Sequence, residues 1–183
     1  MKTTYILHGG FTPYTVQIND LFFAEISMRS PENPTILMVY FATDNGDKYF
    51  AEDSEQFIKN SHGQKLTLIK ATEEDFENQV INADVVYLRG GRSGKLLEAL
   101  KRFPNFSQLV KGKVIAGDSA GAKVLCKAFH TSSHECVSGL GLLPNTLICH
   151  YKDSDKETLK DLESEQDAIY LREYEYKVIS LEE

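Results

Sequence analysis

The sequence predicts an α/β protein of three layers, with a mostly parallel sheet covered by helices on both faces. Three observations predict it. Short apolar runs alternate with segments whose apolar residues recur at helical spacing, joined by short connections. The run Thr35-Ile36-Leu37-Met38-Val39-Tyr40-Phe41 is nearly continuous in apolar residues, the pattern of a strand buried on both sides. Glycine pairs or a glycine-flanked serine follow three of the strand-like runs, where parallel sheets gather their sites.

In chain order, Thr3 to His8 reads as a strand that ends in the Gly9-Gly10 turn. Pro13 suits the first turn of a helix, which Val16, Ile18, Leu21, Phe22 and Ile26 carry to about Arg29. Pro31 and Pro34 bracket a loop before the apolar strand from Thr35. A polar stretch from Asp44 leads to a helix around Ser54 to Asn60, a strand over Lys65 to Ile69 and a helix over Glu73 to Val80. Asp84 to Leu88 is strand-like and runs into Arg89-Gly90-Gly91-Arg92-Ser93. A helix over Gly94 to Arg102 then places Leu96, Leu97 and Leu100 on one face. Val114-Ile115-Ala116 is the next strand. The helix after it carries Ala120, Val124, Leu125 and Ala128 on its buried side, with Lys123 and Lys127 opposite. His130 to Ser138 is polar, and Gly139 to Pro144 is apolar and turn-rich. Thr146 to Cys149 is a strand that delivers His150, and Lys152 to Asp167 is a charged surface loop with some helix. Ala168 to Leu171 and Tyr176 to Leu181 are terminal strands.

With 183 residues the chain fits one domain, 1–183, with a substantial core. Apolar content of 42% and charged content of 26% are those of an ordinary soluble protein. No apolar run approaches a membrane span, and Met1-Lys2-Thr3-Thr4 leads directly into a strand, so neither membrane segment nor signal peptide is expected. The three cysteines, Cys126, Cys136 and Cys149, have no metal-type spacing; they favour free thiols in a reducing compartment, hence the cytoplasm. A net charge of -7 with no basic stripe argues against a nucleic-acid partner.

Gly117-Asp118-Ser119-Ala120-Gly121 has the G-x-S-x-G pattern of a nucleophile elbow. A serine on a sharp strand-to-helix turn projects its hydroxyl off the sheet edge. Flanking glycines keep side chains out of the crossing, and the following amide can face a developing oxyanion. The alternative is a plain strand–turn–helix whose glycines serve packing alone.

A serine hydroxyl needs a base, and the chain has five histidines. His150 ends a strand, where a base is best fixed. His8 suits a packing role, His62 sits in a polar loop, and His130 and His134 follow the elbow. Two acids are candidates to orient the imidazole. Glu135 is the acid between Ser119 and His150, and Glu173 follows the strand Ala168 to Leu171. His130, His134 and Cys136 also permit a metal reading, but two histidines near a helix end lack the remaining ligands of a zinc site, so neither metal nor cofactor is expected.

Three blocks give the chain a resemblance to the peptidase E and cyanophycinase family, serine peptidases of the class I glutamine amidotransferase-like superfamily. Val86 to Leu97, with Gly90-Gly91 at its centre, resembles the family's strand, Gly-Gly-Asn-Thr turn and helix. Ala116 to Ala122 resembles its elbow. Gly139-Leu140-Gly141-Leu142-Leu143-Pro144 followed by His150-Tyr151 resembles its glycine–leucine segment and catalytic histidine. The resemblance implies a flavodoxin-like sheet and a triad of Ser119, His150 and Glu173, with Glu135 the runner-up acid. It also implies an oxyanion hole from the amides of Gly91 (or Gly90) and Ala120, and hydrolysis of short peptides with an aspartyl residue before the bond.

Arg92-Ser93 stands where the family has Asn-Thr or Asp-Thr, and Lys123 where peptidase E has asparagine. An acidic substrate needs positive charge near Ser119, for which Arg92, Arg172 and Arg89 are candidates. The expectation is a serine dipeptidase, monomeric or homodimeric. A binding relative without a complete triad, or an esterase-like hydrolase using Glu135, are the alternatives. An amidotransferase is disfavoured because the elbow carries serine, not cysteine.

Overall fold

A computed structural model describes residues 1–10, 17–133, 135–155 and 167–182. Among these described residues ten strands and six α-helices follow one another as β1 (Lys2–His8), α1 (Gln17–Arg29), β2 (Thr35–Val39), α2 (Gly46–Lys59), β3 (Thr67–Lys70), α3 (Phe76–Asn82), β4 (Val85–Leu88), α4 (Ser93–Lys101), α5 (Phe106–Leu109), β5 (Val114–Asp118), α6 (Ala120–Leu125), β6 (Cys126–His130), β7 (Cys136–Ser138), β8 (Leu143–Cys149), β9 (Ala168–Leu171) and β10 (Tyr176–Glu182). The proposed helix start at Pro13 and much of the charged stretch after Lys152 lie outside the described residues.

Two sheets result. The larger has the order β10-β1-β5-β4-β2-β3 and is parallel except for β10, which pairs antiparallel with β1 from Lys2↔Glu182 to His8↔Tyr176. The smaller, β7-β6-β8-β9, has β7 as its antiparallel edge.

Alternation along the central strands builds two cores at once. Ile6, Ile36, Met38 and Tyr87 face Phe22, Phe23 and Ile26 of α1 and Phe57 of α2. Their neighbours Leu7, Leu37, Val39, Val86 and Leu88 face the other way, onto α3, α4, α6 and the small sheet. Both faces are therefore covered, as the apolar run from Thr35 predicts. The helix after β1 lies on one face and the helix after β5 on the other, although the two strands are hydrogen-bonded neighbours. Chain paths that diverge in this way open a crevice at the carboxyl ends of β1 and β5.

The sequence reading needs correction past the elbow. The helix ends at Leu125, and Cys126 to His130 is a strand, with Ala128 in its ladder. Six residues, all buried, make up α6, so Lys123 belongs to no solvated face. Gly139, Leu140 and Gly141 donate backbone bonds to Lys127, Val124 and Cys126, which draws the chain back over the helix end. A helical continuation would have no room there. The polar stretch to Ser138 holds β7, and α2 starts at Gly46, well before Ser54.

Candidate active site

Ser119 has φ 47° and ψ −101°, a strained backbone for a residue with a side chain. The surrounding structure imposes it. The Ser119 amide donates to His8 O at 2.9 Å, and its carbonyl accepts the Lys123 amide at 2.9 Å. Both flanking glycines are required by close approach: a Cβ on Gly121 would stand 1.9 Å from Leu88 O, and one on Gly117 2.5 Å from the Ala122 nitrogen. The helix can cross the ends of β4 and β5 this tightly only without those side chains.

His150 reaches the serine from the other sheet, one residue past β8. Its amide donates to Gly9 O at 3.1 Å, and its Nε2 lies 2.8 Å from Ser119 Oγ. Space for the ring comes from Gly10, whose φ is 126° and whose missing Cβ would stand 2.1 Å from His150 Cε1. On the far side of the ring, Glu173 Oε1 is 3.6 Å from Nδ1. Glu173 sits in the β9–β10 turn, which the Tyr174 amide pins to Gly10 O at 3.1 Å. One glycine turn thus touches both the His150 imidazole and the segment carrying Glu173.

His150 and Glu173 are each about one-third exposed, at 36% and 34%. Partial burial holds the imidazole below its usual pKa, assisted by the Lys123 ammonium and opposed by Asp118 and Glu173. The ring is consequently neutral near pH 7 and able to accept a proton.

Gly91 and Ala120 face the same edge. Gly91 has φ 150°, and a Cβ there would stand 2.6 Å from Ala42 O. The Arg92 amide ties the turn to Ala42 O at 2.9 Å. Neither the Gly91 nor the Ala120 amide donates to another described residue, so both are available to a ligand oxygen. Gly90 packs against the Asp118 carboxylate, 2.7 Å from where its Cβ would be.

The remaining candidates fall elsewhere. Glu135 stays in the turn after β6, where its carboxylate accepts from Ser133 Oγ at 3.3 Å. His62 is exposed, and His8 is fully buried, its Nδ1 accepting the Gly10 amide at 3.0 Å. His130 is buried at the end of β6, and His134, the other histidine of the metal reading, lies outside the described residues. Arg92 pairs with Asp44, and Arg172 pairs with Asp153 at 2.6 Å; both arginines are exposed.

Arg89 is a correction. It is buried beneath the Gly90–Gly91 turn, with Nε donating to Asp53 Oδ2 at 2.8 Å and its guanidinium 4.1 Å from the Tyr49 ring centre. It therefore cannot reach a substrate. Tyr40 donates to the same carboxylate oxygen at 3.0 Å, and burial pushes the Asp53 carboxyl up to about 6 against the pull of Arg89. Sequence reasoning missed Asp53, Tyr40 and the burial of Lys123. A charged residue four positions after the serine, inside an otherwise apolar helix, is the signal that could have flagged the last.

Two solved structures described as peptidases share the fold. A crystal structure of a peptidase from an acI-B1 Actinobacterium matches with a TM-score of 0.69 at 20% identity, covering 98% of this chain and 84% of that one. A putative peptidase E protein from Listeria monocytogenes EGD-e matches with a TM-score of 0.65 at 18% identity, covering 99% and 98%. No curated protein sequence matches. The sequence model of peptidase family S51 matches residues 7–183, nearly the whole chain, and the protein belongs to that family of serine-type peptidases.

Proposed function

We propose that the chain is an exo-acting dipeptidase that cleaves after an aspartyl residue, with Ser119, His150 and Glu173 as its triad. The observation that carries this reading is the 2.8 Å contact between Ser119 Oγ and His150 Nε2, with Glu173 at the opposite ring nitrogen. The serine attacks the scissile carbonyl while His150 takes its proton. Glu173 holds the imidazole in orientation and stabilises the cation that forms. The amides of Gly91 and Ala120 receive the oxyanion. His150 then gives its proton to the leaving amine, and water, activated by the same ring, releases the acyl group.

Support for the aspartyl preference comes from Arg92, next to Gly91, and Arg172, next to Glu173. Each is exposed, and its carboxylate partner among the described residues is an exposed aspartate, which a substrate carboxylate could displace. The three cysteines are free thiols, which fits a cytoplasmic enzyme; among the described residues no helix is long and apolar enough to cross a membrane.

The test is hydrolysis of Asp-X, Ala-X and β-linked Asp-Arg dipeptides by wild type and Ser119→Ala. Asp-X turnover that disappears in Ser119→Ala is expected. Turnover of the other peptides alone would keep the serine mechanism and remove the aspartyl preference. Negligible, equal rates for both proteins would favour a binding relative.

A further inference from the structure

Lys123 is 8% exposed, on a helix whose other members are apolar or glycine and also buried. Among the described residues no carboxylate pairs with its ammonium. A buried, unpaired ammonium works against folding, and a leucine or methionine would fill the same volume without that penalty. The lysine lines a cavity of about 260 Å³ at the carboxyl ends of β6 and β8, together with His130, Cys149, His150, Lys152 and Asp155.

Among the described residues the one carboxylate in that wall, Asp155, is engaged with its own loop: its Oδ2 accepts the Lys152 amide at 2.9 Å, and its Oδ1 accepts Ser154 Oγ at 3.3 Å. The Cys149 thiol is directed inward, with Sγ 3.7 Å from Ser119 O, and burial drives its pKa upward. Among the described residues the cavity is thus supplied with cationic charge that no carboxylate compensates.

Its position relative to the reaction identifies what would fill it. A leaving amine must lie against His150 Nε2 to receive the proton that the ring took from Ser119. The Gly91 and Ala120 amides, which face the carbonyl oxygen, do not line the cavity, whereas His150 does. The part of a peptide that extends over the cavity is therefore the part that departs.

We propose that this cavity binds a carboxylate on the leaving side of the scissile bond, with the Lys123 ammonium as its counter-charge. The inference rests on the serine-peptidase reading for its orientation. In a dipeptide the α-carboxylate of the released residue is only two bonds from the leaving nitrogen, so a cation here reads chain length. An acidic side chain on the released residue offers the same chemistry from a second source. Lys123 and His150 line the same cavity, which is the proximity such a substrate requires.

The test measures binding with turnover removed. Asp-Ala, its C-terminal amide, and Asp-Glu amide are titrated by calorimetry into Ser119→Ala and into Ser119→Ala combined with Lys123→Met or Lys123→Arg. Asp-Ala binding at least about tenfold tighter than its amide is expected, with the preference lost in the methionine variant and kept in the arginine variant. Asp-Glu amide binding as tightly as Asp-Ala would assign the carboxylate to the side chain. Equal binding of acid and amide, or a preference that survives Lys123→Met in a folded variant, overturns the proposal. Wild-type hydrolysis assayed in parallel separates the two readings. Discrimination without turnover leaves the carboxylate site standing and removes the peptidase activity, and turnover without discrimination does the reverse.

Discussion

Gly10 lies against the imidazole of His150 so closely that a Cβ at Gly10 would stand 2.1 Å from the ring's Cε1. The glycine turn after the first strand therefore sets the position of an imidazole that the chain reaches only 140 positions later.

Gly10→Ala should displace the ring from Ser119 and lower kcat/KM by about a hundredfold, since an ångström-scale shift is enough for that loss. Thermal unfolding and steady-state rates, measured together, separate displacement from unfolding. A folded variant with unchanged rates would show that the ring position does not depend on this contact.

The acid limb of the pH–rate profile should move in opposite directions in two variants. Glu173→Gln removes a group that raises the His150 pKa, so the limb should shift to lower pH, with kcat down about a hundredfold. Lys123→Met removes a group that lowers it, so the limb should shift to higher pH. Profiles of kcat/KM across pH 4 to 9 check both signs.

Arg89→Met should destabilise the fold by about 3–5 kcal/mol, because it leaves the Asp53 carboxylate buried without a counter-charge. The loss should grow as pH rises. Asp53 then keeps its proton in the folded state at pH values where the unfolded chain has released it, so the unfolded state binds fewer protons. Adding Asp53→Asn should recover part of the stability and flatten the pH dependence. Urea unfolding at pH 4.5 and 8 reads both effects.

Gly121→Ala should destabilise by about 3 kcal/mol, because its Cβ would meet the Leu88 carbonyl oxygen at 1.9 Å and neither backbone segment can yield freely. Chemical denaturation gives the magnitude. A loss no greater than that of Gly94→Ala, where the same atom meets nothing, would show that the crossing is looser than described.

The parallel strands were legible because both of their faces are buried, which makes them continuous apolar runs with short connections. The pairing of Ser119 with His150 was legible because their chemistry and strand-end positions coincide. Glu173 needed the family resemblance, since an acid in a turn looks like any surface acid. What stayed hidden depends on long-range contacts. The helix after Ser119 is cut short by the return of Gly139 to Gly141, fourteen or more positions downstream of its end. Arg89 reads as a surface cation until Asp53, from α2, is seen beneath it. Lys123 and Lys127 look alike by helical spacing, yet the first is buried in a helix and the second lies in a strand.

Ser119 stands on the six-stranded sheet, His150 on the four-stranded one, and Glu173 in the turn that leaves the second for the first. With the proposed triad, activity acts as a vernier for the alignment of two separately built sheets. A slide of one against the other by about an ångström would silence the protein while every strand stayed intact. Mild denaturant should accordingly abolish turnover before the circular dichroism signal changes. A reagent bonded to Ser119 and hydrogen-bonded to His150 should act as a rivet between the sheets and bring the two losses together.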